Sequence, residues 1–383
     1  MGDNSNIQWT DATWNPVVGC TKVSAGCQNC YAMKDAARIA HAARAAVLGG
    51  VGVTPVQRAY MDVVKTRDGV PLPQWNNTVR CVPERIIDPL RWKKPRMIFV
   101  NSMSDLFHHS VPDSYIRLVF AAMSYCGQHK FQILTKRPER MAAWFADEEN
   151  CLAACQAEWL VEGLDDKTPT GKHRIGRKGS GGAINGTRKG VGDGNYWPLP
   201  NVWIGTSVEH QAAADERVPH LLRCPAAVRF LSAEPLLGPV DLHKAGWTIA
   251  GTDMAQVQWV IAGGESGAHA RPCDVAWIRA IVDQCRGLRV PCFVKQLGSR
   301  PWADLYTRDH EWHEWSRENE RCVWNPNGLG EIGGCEGVSK WRPCDGQPRP
   351  GAMIEVRLRH SKGGEPAEWP QDLRVRQMPE VRL

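Results

Sequence analysis

Short apolar runs rich in β-branched residues recur along the chain. Each ends in a polar or Gly-rich turn, and stretches of helical character separate them. The runs are MIFVN at 97–101, FQILT at 131–135, VWIG at 202–205, VRFLS at 228–232, WVIAG at 259–263 and CFVK at 292–295. Runs this short, bounded by turns, predict strands buried on both faces. A seventh is expected near the start, where Ile7–Asp11 and then Trp14–Gly19 run into Cys20. Strands alternating with helices predict a parallel sheet with right-handed crossovers. Seven such βα units suit a full or partial (β/α) barrel better than one open sheet.

Between these runs the pattern changes. Residues 31–48, YAMKDAARIAHAARAAVL, are rich in Ala and other helix formers, and Gly49-Gly50 ends the segment. Residues 50–96 read as a long connection with a helical stretch near Pro83–Trp92. Two segments break the alternation. Residues 165–196 are Gly-rich, and from Lys167 to Asn195 they carry seven Lys or Arg against one acid, Asp193. Such a stretch reads as a mobile loop able to ride on phosphates, or as a solvated linker. Residues 299–364 carry Cys322, Cys335, Cys344, His310 and His313, spaced as no familiar zinc site is. The expected organisation is a barrel over 1–298 with the basic loop at 165–196. An insert or small subdomain follows at 299–364, and a segment at 365–383 docks on the barrel.

Composition sets outer limits. The chain has 383 residues, 43% of them apolar, enough for one large or two medium domains. No apolar run approaches the ~18 residues of a membrane span. The formal charge of +6 permits a polyanionic partner without requiring one. Seventeen Trp stand against seven Phe, and several, such as Trp92 and Trp369, precede charged or Pro residues as if packed at element ends. MGDNSNIQWTD has neither a basic n-region nor an apolar h-region, so the expectation is a cytoplasmic protein with reduced thiols. Fourteen Cys in such a chain point to metal or redox chemistry rather than a disulfide frame.

Three of those Cys fall in CTKVSAGCQNCY, spaced C-x6-C-x2-C at Cys20, Cys27 and Cys30. A [4Fe–4S] cluster usually takes four thiolates. Three leave one iron open to chelate a small molecule, S-adenosylmethionine (SAM) being the best known. Radical SAM proteins use such a loop, most often spaced C-x3-C-x2-C. The spacing alone leaves zinc or unrelated thiols open, although the next His, His41, lies beyond the expected helix. Polar residues cluster just after each strand: Ser102, Ser104 and Asp105; Lys136 and Arg137; Ser207 and Glu209; Glu234; Glu265; Gln296. In a barrel these positions share the rim where active sites sit, and the cysteine loop follows the first strand onto the same rim.

Seven phrases, in order, closely resemble the phage Gp37/Gp68 family: CTKVSAGCQNCYA, TVRCVPERIIDPLRWKKPRMIFVNSMSDLFH, FQILTKRPERM, VWIGTSVE, RFLSAEPLLGP, IAGGESG and FVKQLG. The likeness covers about residues 7–298 and 365–378, and its C-x6-C gap is the family's own. A shorter likeness, at Ser104-Asp105 and Thr135-Lys136, is to spore photoproduct lyase, a radical SAM DNA-repair enzyme. The resemblance implies a barrel of the radical SAM type. Cys20, Cys27 and Cys30 would hold a [4Fe–4S] cluster, and Tyr31 would pack near the SAM adenine. Asn101, Ser102 and Asp105 would bind the SAM ammonium or ribose, Lys136 its carboxylate, and Ser207 and Glu209 the ribose hydroxyls. Glu234, Glu265 and Lys295, with Gln296, would face the substrate as catalytic groups.

For a phage protein, the resemblance implies modification of DNA bases that evades host nucleases, with an electron donor as a further partner. One form would isomerise a glycine on the thymine methyl carbon from nitrogen-linked to carbon-linked, with the base extruded into the barrel mouth. Rival readings are a DNA-repair lyase, a peptide- or small-molecule-directed radical SAM enzyme, and a non-catalytic, metal-stabilised nucleic-acid binder.

Overall fold

A computed structural model describes residue 5 and residues 7–156, 197–248, 256–304, 321–324, 353–355, 358 and 360–379. The basic stretch at 165–196 lies outside these residues, as do His310, His313, Cys335 and Cys344; Cys322 is described in its backbone alone. Among the described residues no helix is long and apolar enough to cross a membrane.

All seven expected strands form, in one sheet. They are β1 (Ala12–Trp14), β2 (Met97–Val100), β3 (Lys130–Thr135), β4 (Val202–Ser207), β5 (Val228–Ala233), β6 (Trp259–Gly263) and β7 (Cys292–Gln296). Their order across the sheet is their order in the chain, and the strands are parallel. Unbroken sequential order, with β1 and β7 at the two ends, is the arrangement of a (β/α) barrel opened along one seam. Every residue of β4 and β6 is buried, as strands covered on both faces require. Residues Val375–Gln377 run beside β7: the Val294 N–H donates to the Val375 carbonyl at 2.8 Å and the Gln377 N–H to the Cys292 carbonyl at 2.8 Å. That pairing occupies an otherwise open sheet edge.

The helices are α1 (Tyr31–Leu48), α2 (Pro55–Val63), α3 (Asp113–Tyr125), α4 (Pro138–Ala146), α5 (Glu148–Gln156), α6 (Gln211–Leu222) and α7 (Val275–Gly287). The expected helix at 31–48 forms over that range. The long connection is not irregular throughout. Thr54 starts α2 with a capping box, its hydroxyl taking the Gln57 N–H while the Gln57 side chain takes the Thr54 N–H. A hairpin follows, Val64–Arg67 against Val70–Trp75, turning through Asp68 and Gly69 with φ of 50° and 74°. Left-handed residues at both central positions fit the twist of a two-residue hairpin. The expected helix at 83–92 is two single 3-10 turns, Pro83–Arg85 and Pro89–Arg91.

The chain divides into two compact units. The first holds Met1–Ser207, Glu216–Leu231 and Val381–Leu383; the second holds Val208–Asp215 and Ser232–Glu380. In the first, Phe120 stacks on Trp144 at 4.9 Å between ring centres, and Phe145 and Trp197 meet the same group edge-on. A second apolar group joins Ala32, Ala36 and Ala40 of α1 to Tyr60 and Val63 of α2 and to Trp75 of the hairpin. Alanines four apart let those elements approach closely. In the second unit Trp259, Phe293 and Trp369 are buried, and Trp369 stands at an element end as expected, closing the 3-10 turn Pro366–Glu368. A four-stranded sheet there orders Cys273–Asp274, Pro301–Asp304, Met353–Glu355 and Arg321–Trp324, and three of its strands come from the 299–364 segment.

Two predictions follow from this packing. A Cβ on Gly205, in the middle of β4, would sit 2.6 Å from the Phe230 ring. Gly205→Val should lower stability by about 1–3 kcal/mol in denaturant unfolding, and Phe230→Leu should recover part of that loss. Burial also pushes the Cys126 thiol up from 9.0 to about 12. The folded state then holds a proton that the unfolded chain releases. The resulting stability is complete below pH 9.0 and is lost as pH rises towards about 12. Over that window the stability of Cys126→Ala should fall less steeply than the wild type's, by about 1.4 kcal/mol per pH unit. Equal slopes would sink this account.

Candidate functional site

The cysteine loop belongs to the first unit and is fixed at both ends. Val17–Val18 pairs with Arg80–Cys81, and Gly19 bridges to Ser104 just beyond β2. Gly19 has φ of +86°, and a Cβ there would lie 2.4 Å from the Thr78 carbonyl oxygen. Only glycine suits both the conformation and the space. A 3-10 turn over Ala25–Cys27 then carries the chain to Cys30, the N-cap of α1. Cys20, Cys27 and Cys30 are free, half-buried thiols. They line one cavity of about 70 Å³, with Trp75, Ser102 and Met103 in its walls.

Two cations act on these sulfurs. The Arg137 guanidinium lies 3.7 Å from Cys20 Sγ and donates to the Thr21 carbonyl at 3.0 Å and to Thr21 Oγ1 at 2.8 Å. It also forms an ion pair with Asp105 at 2.8 Å, in which the side chains are 12% and 6% exposed. Burial, helped by the Asp105 carboxylate, pushes the Cys20 thiol up to about 12 against the pull of Arg137. Burial raises Cys30 as well, opposed by the backbone N–H of Ala32 and the charge of Lys136. The metal-free thiols of Cys20 and Cys30 therefore carry their protons at neutral pH. A metal would have to displace them.

Asp105 is the hub behind the loop. It accepts from Thr135 Oγ1 at 2.7 Å, the Phe107 N–H at 3.0 Å and the Lys136 N–H at 3.2 Å, besides Arg137. His108 lies beside it. Its Nδ1 accepts the Ser110 N–H at 3.1 Å, which leaves the proton on Nε2, 2.9 Å from Thr21 Oγ1. Burial, then the charge of Arg137, lowers His108 to about 4, so it is neutral. Sequence reasoning singled out Asp105 and Lys136 here but gave no role to Thr21, His108 or Arg137. Arg137 carried a signal, as a cation at the end of β3.

The other expected residues are placed as follows. The Tyr31 hydroxyl donates to the Ser102 carbonyl at 2.8 Å, leaving the ring half exposed. The Ser102 hydroxyl meets the Asn15 side chain, and the Ser104 hydroxyl donates to the Val17 carbonyl at 2.6 Å, so both tie the turn after β2 to the β1 end. Asn101 is buried at φ of +60°, a conformation Asn tolerates better than most residues. Neither its amide oxygen nor its amide nitrogen has a hydrogen-bond partner among the described residues, and the same holds for the buried Ser207 hydroxyl. Buried polar atoms left without partners are costly, and they mark places where a ligand or water completes the set.

Five expected residues belong to the second unit: Glu209, Glu234, Glu265, Lys295 and Gln296. Glu234 accepts from Lys295 at 2.6 Å and from the Gln296 amide at 3.1 Å. Glu265 is held by Arg271 through both oxygens, at 2.6 and 2.9 Å. Glu209 is fully buried, and its carbonyl accepts the Leu237 N–H at 2.7 Å. Among the described residues no group of three or more His, Cys, Asp or Glu side chains forms a ready single-ion site.

Breaking the buried pair tests the hub. Arg137→Gln should cost about 3–5 kcal/mol in unfolding free energy, because it strands the Asp105 charge. The double variant with Asp105→Asn should be more stable than the sum of the single effects. Strict additivity would show that the pair is not coupled.

Comparison with known proteins gives one assignment. No curated protein matches the chain, and no solved structure does. A family profile, described as a protein of unknown function (DUF5131), matches residues 4–326. That span is most of the sequence, and the chain belongs to the DUF5131 family.

Proposed function

We propose that the chain is a radical SAM enzyme whose cluster is held by Cys20, Cys27 and Cys30. The observation that carries this reading is the shared cavity: three thiols from one eleven-residue loop face the same small space. A set of three sulfur donors suits an iron–sulfur cluster with one iron left open. Bound there, such a cluster supplies the electron that cleaves SAM to a 5′-deoxyadenosyl radical.

The chain's own groups have definite tasks in this reading. Arg137 and Lys136 offset the negative charge of thiolates that burial alone disfavours. Asp105 fixes Arg137 and takes no part as an open ligand, since its oxygens are already engaged. Asn101, whose amide atoms have no partner among the described residues, is the group best suited to bind the polar end of SAM. Tyr31, half exposed beside Cys30, offers a ring face to the adenine.

The proposed substrate class is a DNA base. The specific reaction would convert a glycine-modified thymine from its nitrogen-linked to its carbon-linked form. Its support is the likeness to the phage Gp37/Gp68 phrases and the basic stretch from Lys167 to Lys189.

Anaerobic reconstitution with iron and sulfide, followed by SAM and dithionite, should yield 5′-deoxyadenosine. Cys27→Ala should reduce it to background. Nucleoside mass spectrometry of modified phage DNA should show an isomeric base. Purified protein that holds zinc and makes no 5′-deoxyadenosine would overturn the radical SAM reading. Brisk SAM cleavage with unchanged DNA would overturn the substrate alone.

A further inference from the structure

A larger recess adjoins the cysteine cavity in the same unit. Its volume is about 290 Å³, and it is lined by Thr21, Lys22, Lys65, Gln74, Trp75 and Asn77. Thr21, Lys22 and Trp75 line the cysteine cavity as well, so these residues form a common wall. Strand alternation in the hairpin explains the lining. Val64 and Trp75 turn into the apolar core, and Lys65 and Gln74 turn outward.

The chemistry of this lining is one-sided. It presents two ammonium groups, two side-chain amides, a hydroxyl and an indole, and no carboxylate. The nearby Asp62 is engaged by Arg80 at 3.4 Å. Lys22 spends one donor on the Gln28 carbonyl, at 3.4 Å, and an ammonium has three. Two like charges facing one space repel each other unless an anion lies between them. The volume is near the lower end of small-ligand pockets, enough for a phosphate with its sugar or base.

We propose that this recess is an anchoring subsite for a phosphate ester, with Lys22 and Lys65 on the phosphate oxygens and Gln74 and Asn77 on neighbouring polar groups. The inference rests on reading the adjoining cysteine loop as the reacting centre. It adds the place at which a nucleotidyl substrate is gripped. The phosphate can belong to a free nucleotide or to a nucleic-acid strand, and the test separates them.

The test measures binding to the full chain as purified, so it does not depend on cluster loading. The probes are thymidine, thymidine monophosphate and a labelled single-stranded oligothymidylate. The monophosphate should bind tighter than thymidine by about tenfold or more, as expected for charge-assisted contacts. Lys22→Gln with Lys65→Gln should remove that advantage, whereas Lys94→Gln, in an exposed loop before β2, should retain it. If the strand is the natural source, the oligonucleotide binds tighter still, and the double variant loses about 1.4 from its logarithmic salt slope, about 0.7 per lysine. If the nucleotide is the source, the oligonucleotide has no advantage. Equal binding of thymidine and its monophosphate, or a double variant that binds like wild type, overturns the proposal. Absence of 5′-deoxyadenosine from the reconstituted wild type would count against the cluster instead.

Discussion

Asp105 and Arg137 bring opposite charges into a place where neither could remain alone. The side chains are 6% and 12% exposed, and each spends its remaining hydrogen-bonding capacity on backbone or hydroxyl groups of the same rim. Burying such a pair gains little net stability against an apolar alternative. What it provides is location. Asp105 takes donors from the ends of two neighbouring strands, and Arg137 passes the constraint to the backbone beside Cys20. The cysteine loop has no long element of its own to hold it. It is positioned by a strand pair of two residues each, by a glycine that no other residue could replace, by the Gly19–Ser104 bridge, and by Arg137 and His108 on Thr21.

The same cation explains an otherwise awkward electrostatic situation. Burial makes Cys20 and Cys30 poor thiolates, and Asp105 adds to the effect on Cys20. Positive charge close by offsets the cost of a thiolate in low dielectric. Arg137 and Lys136, adjacent in sequence, supply it to different sulfurs. Burial, with the charge of Arg137 second, suppresses protonation of His108, which stays neutral and serves as a hydrogen-bond donor to Thr21.

Much of the scaffold was legible because its signals are local. β-branched runs bounded by turns marked six strands, and the alanine-rich stretch marked α1 closely. Other signals were equally local but unread. Thr54-Pro55 with Gln57 spells a capped helix start, and Asp68-Gly69 spells a hairpin turn, yet the segment passed for a connection. The pairing of Asp105 with Arg137 is of another kind, since it depends on two strand ends meeting in the sheet. No spacing rule foretells which of several rim cations reaches a given carboxylate. Equally, Glu265 looked like an open functional acid, while the fold commits both its oxygens to Arg271, six residues on.

The reach of Arg137 has a consequence for the chain during its synthesis. Thr21 and Arg137 are 116 residues apart. At ribosomal rates of about 5–20 residues per second, the cysteine loop waits roughly 6–25 s before its anchoring cation exists. Through that interval Cys20 belongs to an unfolded segment with ordinary acidity near 9.0, not to the buried state in which it stands at about 12. The nascent loop is thus more open to oxidants and stray metal ions than the finished one. The folded protein shelters Cys20 only after the third strand has arrived, so the chemical safety of this sulfur depends on the order in which the chain emerges.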